Sequence, residues 1–515
     1  MSLRAKVFRG AARLLSASTF VTLLQLAFYL TIVRVLGLRG LGAYFGTTLV
    51  WTFASFALTW PASGFGRFVT GEYQAGRVER ARHLYTAGVM VGLAGGLSAM
   101  AAFIALAPQV AALTFRTASY SGLVRLMAVD LALTAYNYYA GAGLIAMMRF
   151  GKMSATQVLW AVARYLTGIV LLFAGLGPTG LVAGWVAGDV VNAVFNTYWS
   201  RDLLVGSKTP HPIGPVIKYA APLALGGAVV TVLQSFDKVF VLAKLGITEL
   251  GSYSTIMMAS TVPQMLPGAI ANALMPAMVG MEERGQLTPE AVERAVRYVT
   301  TLSIPPLLLV AALGRPLVLL LLGPNFVHDW VAFTMLTVGH SLMSFDIPIT
   351  LVLMAKKDSR TLALQSVVTA AVIAALAPPL IDLWFAAGAA IAYVLARLTG
   401  FLAIAMPRVR GYGLLRVDLR EYARLATASA LVFLGTLGIG LATGMRLALL
   451  PAYLAFGFLF MWAGLRGLRV IRAEDYDALL EAVPPELRGI VSRLWSGLGF
   501  PIPRAPLANG GSTDG

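Results

Sequence analysis

Two stripes of polar side chains interrupt apolar stretches of the sequence. The first stripe contains Thr22, Gln25 and Tyr29, and the second contains Thr231, Gln234 and Lys238. Residues three and seven positions apart lie on one helix face, so each stripe forms a polar face. Such faces could hydrogen-bond a polar ligand, and the lysine could attract an anionic group as a point charge. In the alternative interpretation, Gln and Thr join neighbouring helices, and the lysine extends to the membrane surface.

Both stripes belong to a repeated segment. Residues 21–44 (VTLLQLAFYLTIVRVLGLRGLGAY) align without a gap with residues 230–253 (VTVLQSFDKVFVLAKLGITELGSY), at one constant offset (234 − 25 = 209). The sequence VERA recurs at residues 78–81 and 292–295, in the loop that follows each copy. Six predicted helices separate the copies, and an even number keeps the two halves parallel. The duplication therefore predicts two similar lobes, and Asp237 and Lys238 add charge to the second copy.

Ionisable residues inside the predicted spans form a second group. Asp130, Arg164 and Asp189 lie near the middle of the fourth, fifth and sixth spans, and Asp346 and Arg397 lie at comparable depth in the second half. Isolated charges at that depth cost several kcal/mol, so these groups should be paired or hydrated. One interpretation is a proton or sodium relay, and the other is a salt bridge that holds each lobe rigid. Asn192 and Asn196 extend the polar face of the sixth span.

The composition is that of an all-α integral membrane protein. Of the 515 residues, 58% are hydrophobic and only 12% are charged, whereas soluble proteins are about one-quarter charged. The chain contains no cysteine, and its four histidines show no metal-ligand spacing, so we expect no disulfide, metal or cofactor. The net charge of +17 is explained by Lys and Arg in cytoplasmic loops, which argues against nucleic-acid binding.

The apolar runs predict about 14 transmembrane helices. Their approximate ranges are 14–36, 41–66, 84–107, 119–148, 153–176, 180–200, 215–245, 249–279, 295–322, 330–354, 360–381, 385–406, 421–443 and 447–466. With the N-terminus inside, roughly 30 of the 40 Lys and Arg residues fall on the cytoplasmic side. We therefore expect a multi-pass protein of the plasma membrane with both termini in the cytoplasm.

The repeat and the spans together predict the domain organisation. It consists of an N-terminal six-helix lobe (1–208), a C-terminal six-helix lobe (209–406), an extra helix pair (407–466) and a cytoplasmic tail (467–515). In the tail, Pro484 and Pro485 separate two short amphipathic helices. Two similar lobes related by an axis along the membrane normal suit alternating access, in which one lobe rocks against the other.

Several short motifs in this layout resemble the multidrug/oligosaccharidyl-lipid/polysaccharide (MOP) exporters. They are Arg34-Val-Leu-Gly, Gly42-Ala-Tyr44, Pro222, Asp237-Lys238, Leu245-Gly246, Gly251-Ser-Tyr253 and Pro276. Within that superfamily, the layout of residues 1–406 is most similar to the polysaccharide transporter branch. The resemblance implies a flippase that moves polyprenyl-pyrophosphate-linked oligosaccharides from the inner to the outer leaflet, for the assembly of cell-surface glycans.

The resemblance also implies where a substrate would bind. It places the first, second, seventh and eighth helices around a cavity, so that the two polar stripes face each other. The candidate substrate-binding residues are Thr22, Gln25, Tyr29, Arg67, Thr231, Gln234, Asp237 and Lys238. The related lipid II flippases carry paired arginines inside the first helix, whereas this chain has no cation there before Arg34. The difference argues against lipid II as the substrate.

Three alternatives to the flippase differ in how well they fit the sequence. An ion-coupled antiporter of drugs or small molecules, from the same superfamily, is the main alternative. A major facilitator has the same two-lobe layout, but residues 71–75 (GEYQA) lack the aspartate of its loop motif. A membrane enzyme is disfavoured because the outer loops are short and carry no paired carboxylates. The expected partners are lipid-linked oligosaccharide, membrane lipids and, in the relay interpretation, H⁺ or Na⁺; we expect a monomer.

Overall fold

The computed structural model describes residues 3–204, 212–233, 235–416, 418–472, 475–476 and 485–501, which contain helices and turns but no β-strand. The helices up to the second copy of the repeat are α1 (Leu3–Val35), α2 (Gly37–Thr59), α3 (Ala62–Gln74), α4 (Val78–Ala105), α5 (Ala107–Phe115), α6 (Ser121–Ala146), α7 (Phe150–Leu171), α8 (Gly177–Leu204), α9 (Gly214–Leu233), α10 (Phe236–Leu245) and α11 (Ile247–Thr261). The later helices are α12 (Met265–Glu283), α13 (Pro289–Ala312), α14 (Gly314–Leu321), α15 (Trp330–Leu342), α16 (Asp346–Ala355), α17 (Ser359–Gly400), α18 (Met406–Gly411), α19 (Leu419–Ala442), α20 (Leu450–Gly467) and α21 (Pro485–Gly497).

Each predicted span coincides with a helix or with consecutive helical segments, which confirms an all-helical, multi-pass membrane protein. Among the described residues, eight helical stretches are long and apolar enough to cross a bilayer. The number becomes nine if the bent pair Pro324–Leu342 and Asp346–Ala355 forms one span. Span seven is the clearest departure from the sequence prediction, because α9 ends at Leu233 and a separate helix begins at Phe236.

Two of the long helical stretches contain a chain reversal. Phe150–Leu204 has 55 residues and Ser359–Gly411 has 53, and 55 helical residues would extend about 80 Å across a hydrocarbon core of about 30 Å. The first stretch breaks at Gly175 and Gly177, whose φ angles of 87° and 55° suit glycine. The second breaks at Trp384 and Phe385. Each stretch therefore corresponds to two of the predicted spans, with the connection where the sequence predicts it.

The described chain divides into two compact units. The first comprises Met1–Ala259, Leu321–Ala332 and Ala363–Thr399, and in it α6 packs against α4 and α8 while α7 packs against α1 and α8. The second comprises Ser260–Leu320, Phe333–Leu362 and Gly400–Gly515, and in it α13 and α20 both pack against α19. The lobe boundaries at residues 208, 406 and 466 stay a prediction.

Two contacts fix the tail within the second unit. The carboxylate of Asp475 lies 2.8 Å from the guanidinium of Arg297, a buried residue of α13. The indole of Trp462, in α20, donates a hydrogen bond of 2.9 Å to the carbonyl of Leu498. The second predicted amphipathic helix corresponds to α21, whereas residues 477–484, which include most of the first, lie outside the described residues.

Candidate functional site

The site begins with the close packing of α7 and α8. Gly180, Gly184 and Gly188 follow one another at four-residue intervals along α8, so they form one face. A methyl group at Gly184 would lie 2.4 Å from the carbonyl oxygen of Arg164, and one at Gly188 would lie 2.7 Å from its Cβ. Only glycine permits this approach. The close packing brings Arg164 of α7 beside Asp189, which follows Gly188 in α8.

Asp189 is buried and receives hydrogen bonds from three residues. Its carboxylate accepts one bond of 2.7 Å from the indole of Trp160 and another of 2.7 Å from the hydroxyl of Thr134. Its backbone carbonyl accepts a bond of 3.0 Å from the amide of Asn137. Donors from α6 and α7 therefore hold this carboxylate of α8 in one position, which compensates for its removal from water.

Asp130 lies deeper in the helix bundle than Asp189. Its side chain is fully buried, and one carboxylate oxygen accepts a hydrogen bond of 2.8 Å from the indole of Trp51. The other oxygen has no hydrogen-bond partner. A buried oxygen without a donor is costly for an ionised carboxylate, so this position suits a group that exchanges a proton or a cation.

Arg164 contacts aromatic rings and neither of these carboxylates. Its guanidinium carbon lies 5.2 Å from the ring centre of Trp160 and 5.0 Å from that of Trp185. These are cation–π distances. Within the described chain it forms no ion pair with Asp130 or Asp189. Arg164 thus makes no direct ion pair with these carboxylates, and both the salt-bridge and the relay interpretations stay predictions.

Trp160, Arg164 and Asp189 line a cavity of about 570 Å³, whereas Asp130 and Trp185 do not. Six aromatic residues form much of its wall, namely Tyr29, Tyr44, Trp51, Tyr138, Trp160 and Tyr165. Four amide side chains also face it, namely Gln25, Asn137, Asn192 and Asn196. Arg164 and Asp189 add one positive and one negative group. The cavity thus combines flat apolar surfaces with many hydrogen-bonding groups.

A second, larger cavity of about 1110 Å³ adjoins the first. The two share the lining residues Tyr138, Gly141, Trp160, Asn192 and Asn196. Arg67, in α3, lines the second cavity. Its guanidinium donates a short hydrogen bond to the hydroxyl of Tyr219, and its carbon lies 4.3 Å from the centre of that ring. The tyrosine therefore orients an exposed cation in the second cavity.

The first polar stripe reaches the cavity in part. Gln25 and Tyr29 line it, and the amide of Gln25 lies 3.5 Å from the hydroxyl of Tyr29. Thr22 is half-buried and donates instead to the carbonyl of Ser18, at 2.8 Å. A hydroxyl bonded within its own helix is satisfied locally. The predicted first wall therefore consists of two residues rather than three.

The second stripe is not one continuous face, because the break between α9 and α10 separates its members. Thr231 lies near the end of α9, half-buried, and its carbonyl accepts a bond from Ser235. Lys238 lies in the first turn of α10, also half-buried. Gln234 lies outside the described residues. Neither Thr231 nor Lys238 lines the two cavities described above.

Asp237 lies in the protein interior and lines neither cavity. Its side chain is fully buried, and one oxygen accepts a hydrogen bond of 2.8 Å from the hydroxyl of Tyr253. The other oxygen has no hydrogen-bond partner. The tyrosine lies in α11, so this contact joins α10 to α11 within the second copy of the repeat.

The remaining predicted residues, Asp346 and Arg397, lie away from these cavities. Asp346 is the first residue of α16, is buried, and accepts a bond of 3.4 Å from Thr350. Arg397 is half-buried near the end of α17. The two belong to different units.

The sequence interpretation missed the aromatic lining. Trp160 precedes Arg164 by one helical turn, and this spacing could have indicated a contact between them. Tyr138, Trp51 and Tyr44 carry no such signal, because an aromatic residue in an apolar span can equally face lipid. The predicted polar face of α8 does line both cavities, through Asn192 and Asn196.

Solved structures with the same fold are transporters. One is described as a lipid II flippase, MurJ, in an inward closed conformation, with a TM-score of 0.68, 11% sequence identity, and coverage of 88% of this chain and 97% of that one. Another is an inward-facing multidrug resistance transporter of the MATE family and MOP superfamily, with a TM-score of 0.60, 17% identity, and coverage of 76% and 95%. A MOP superfamily transporter from Pyrococcus furiosus has a TM-score of 0.55, 14% identity, and coverage of 80% and 96%.

These neighbours confirm the MOP fold and agree with the prediction that the chain is not an enzyme. A comparison with curated protein sequences gives no match. The family described as "Polysaccharide biosynthesis protein" matches residues 32–332, which is more than half of the chain. The chain therefore belongs to the polysaccharide biosynthesis protein family.

Proposed function

We propose that the protein is a flippase for a lipid-linked oligosaccharide. In this proposal it binds the glycan and pyrophosphate of a polyprenyl carrier at the cytoplasmic leaflet and releases them at the outer leaflet. Alternation between two states of the bundle moves the polar part, while the lipid tail stays in the membrane. The protein lies in the plasma membrane with both termini in the cytoplasm.

The observation that carries the proposal is the chemistry of the first cavity. A pyranose ring has apolar C–H faces and a rim of hydroxyls. Six aromatic residues offer flat surfaces for those faces, and the four amides with Asp189 offer donors and acceptors for the hydroxyls. The volume of about 570 Å³ lies within the usual range for ligand sites. We infer that one or two sugar residues bind there.

Arg67 suits the pyrophosphate. A guanidinium binds phosphate through two parallel hydrogen bonds, and Tyr219 orients this one. The larger cavity, lined by Arg67 at one side and by Tyr138 at its border with the first, has room for a linker and further sugars. A single extended substrate can therefore contact both cavities.

Asp130 and Asp189 suit ion coupling. Both carboxylates are buried, and one oxygen of Asp130 lacks a donor. In the proposal, a proton or Na⁺ binds at these groups in one state and leaves in the other, which couples the transition to an ion gradient. Arg164 lines the same cavity as Asp189 but forms no direct ion pair with either carboxylate.

A cation antiporter is the second candidate. It is favoured by the same two carboxylates beside a cavity lined with aromatic rings, a combination that also suits an organic cation. The two candidates differ in their substrate, since the antiporter would bind small cations and would not need Arg67.

A leaflet-access assay tests the proposal. The protein is reconstituted in vesicles with a fluorescent polyprenyl-pyrophosphate oligosaccharide, and a membrane-impermeant reagent reports the leaflet that the glycan occupies. We expect translocation by the wild type and a loss of about tenfold or more in Arg67→Ala and Tyr138→Ala, corresponding to about 1.4 kcal/mol. Tyr198→Ala is the matched control, because Tyr198 is as exposed as Tyr138 (56% against 58%) but lines neither cavity.

The outcomes of the leaflet-access assay distinguish the flippase from the antiporter and test the binding site. Normal translocation in Arg67→Ala and Tyr138→Ala excludes this binding site. No translocation by the wild type, together with uptake of an organic cation driven by an ion gradient, excludes the flippase and supports the antiporter. Equal losses in Tyr198→Ala and Tyr138→Ala mean that the effect is not specific to the cavity.

A further inference from the structure

Three potential metal ligands meet where α11 begins. Glu249 lies in the first turn of α11, and His328 and Asp329 end the 3₁₀ segment Pro324–Asp329. One ligand atom from each of the three lies within 4.8 Å of the other two. Glu249 is about 80 positions from His328 and Asp329 in the sequence, so sequence spacing does not predict this group. The fold brings the three residues together.

The distances suit a small divalent cation. The Nε2 atom of His328 and the Oδ2 atom of Asp329 are 3.2 Å apart. Two ligands at about 2.0–2.1 Å from a tetrahedral metal are separated by roughly 3.3 Å. A carboxylate oxygen of Glu249 lies within 4.8 Å of both atoms, and water would complete the coordination.

The charges of this group are not balanced by other described residues. Glu249 is half-buried and accepts no hydrogen bond or ion pair. The side chain of Asp329 is only 9% exposed, and among the described residues its ion-pair contact is with His328. Two carboxylates this close repel each other unless a cation lies between them. A divalent metal ion between the two carboxylates would remove this repulsion.

Asp329 also has a supporting contact of the kind found in metal sites. The hydroxyl of Ser252, a fully buried residue one turn after Glu249, donates a short hydrogen bond to its Oδ2 atom. Such outer contacts fix the orientation of a ligand carboxylate and raise metal affinity. Ser252 and Glu249, on successive turns of α11, therefore both lie close to Asp329.

The duplication shows that the helix equivalent to α11 forms without the polar groups of Glu249 and Ser252. At the offset of 209, these two residues correspond to Gly40 and Ala43 in the first copy. The first copy thus forms its helix with small apolar residues at both positions.

We propose that Glu249, His328 and Asp329 bind a divalent transition metal ion. The imidazole favours Zn²⁺ or Co²⁺ over Mg²⁺ and Ca²⁺, which prefer oxygen ligands alone. The bound ion would fasten the start of α11 to the 3₁₀ segment. This site is independent of the proposed transport function and lies outside both cavities described above.

Titration of the purified full-length protein with Zn²⁺ tests the site. After treatment with a chelator, we expect one saturable Zn²⁺ site by calorimetry, and a visible absorption band when Co²⁺ is used instead. His328→Ala and Glu249→Gln should each weaken Zn²⁺ binding at least tenfold, and Ser252→Ala by a smaller factor. Zn²⁺ should raise the melting temperature of the wild type but not that of His328→Ala.

Two variants serve as controls. Asp382→Asn removes an exposed carboxylate that pairs with Lys244 at 2.5 Å, and His83→Ala removes a histidine outside the cluster. Both should bind Zn²⁺ like the wild type. His328 is 49% exposed, so its replacement should leave the metal-free melting temperature unchanged. Unaltered Zn²⁺ affinity in His328→Ala, or no saturable binding by the wild type, overturns the proposal.

Discussion

Gly42 and Gly251 occupy equivalent positions in the two copies of the repeated segment (251 − 42 = 209), and each packs against the backbone beside the other. A methyl group at Gly42 would lie 1.8 Å from the carbonyl oxygen of Ile247, and one at Gly251 would lie 2.2 Å from that of Leu38. Leu38 and Ile247 are themselves equivalent. The contact between α2 and α11 is therefore reciprocal, as expected about a twofold axis.

This reciprocity predicts similar effects of two distant substitutions. Gly42→Ala and Gly251→Ala each force a methyl group against a carbonyl that belongs to a packed helix, and overpacking of this kind costs about 1–3 kcal/mol. We expect both to lower the melting temperature in detergent by comparable amounts. The double variant should lose less than the sum, because the first substitution already separates the helices.

Gly71→Ala is the matched control for this prediction. Gly71 lies within α3, and a methyl group there would meet no atom within 4 Å. Alanine in an open helical position is favoured over glycine by up to about 1 kcal/mol, so this variant should be unchanged or more stable. If Gly42→Ala and Gly71→Ala have the same melting temperature, the close contact between Gly42 and Ile247 is contradicted.

The sequence predicts the helices and the duplication well, because both depend on patterns along the chain. Apolar runs locate the spans, and the constant offset that relates Gly42 to Gly251 predicts their symmetric placement. The second polar stripe is less predictable. Its face was derived from one helix over 215–245, but the break before Phe236 changes the register. Asp237 consequently turns toward Tyr253 and into the interior, and no pattern in the apolar run indicates that break.

The partners of Arg164 could not be predicted for a different reason. An arginine and two aspartates at similar depth suggest an ion pair, but depth does not determine the direction in which each side chain points. The glycines of α8 bring the helices so close that the guanidinium lies against Trp160 and Trp185. The aspartates instead take indole donors. Aromatic side chains, which carry no periodic signal in a membrane helix, decide the arrangement.

The contacts of Arg164 predict that lysine cannot replace it. A lysine keeps the charge but loses the planar group that lies against two rings, and each cation–π contact contributes about 0.5–2 kcal/mol. In the leaflet-access assay we expect Arg164→Lys to translocate at least tenfold more slowly than the wild type. The lost contacts should also lower its melting temperature, so the assay is run well below the melting transition to separate a loss of function from a loss of folding.

Arg125→Lys provides the comparison for Arg164→Lys. Arg125 lies in α6, is exposed, and does not line either cavity. The substitution should leave translocation unchanged. If Arg164→Lys also translocates at the rate of the wild type, charge alone is sufficient at this position and the aromatic contacts have no role.

A carboxylate outside the membrane spans should make stability depend on pH. Asp358, in the turn between α16 and α17, accepts hydrogen bonds from the hydroxyl of Tyr412 at 2.6 Å, from Arg408 at 2.8 Å and from the hydroxyl of Thr361 at 2.8 Å. Donation by Tyr412, with further contributions from Arg408 and Thr361, holds the pKa of Asp358 well below its usual value, although burial opposes the shift. The ionised carboxylate therefore stabilises the turn.

The sign of the pH effect follows from that shift. Because the pKa of Asp358 is lower in the folded than in the unfolded protein, its stabilisation is complete above the unfolded value of about 3.9 and decreases as the pH falls toward the folded value. We expect Asp358→Asn to lower the melting temperature at pH 7, corresponding to about 1–3 kcal/mol. The difference from the wild type should shrink as the pH falls below about 4.

Asp382→Asn distinguishes this network from an ordinary surface ion pair. Asp382 is 63% exposed and pairs only with Lys244, and exposed pairs contribute about 0–1 kcal/mol. Its melting temperature should therefore stay close to that of the wild type at pH 7. A difference between Asp358→Asn and the wild type that persists unchanged at pH 3 would mean that the amide disturbs the turn sterically. In that case the ionised carboxylate would not be the source of the stability.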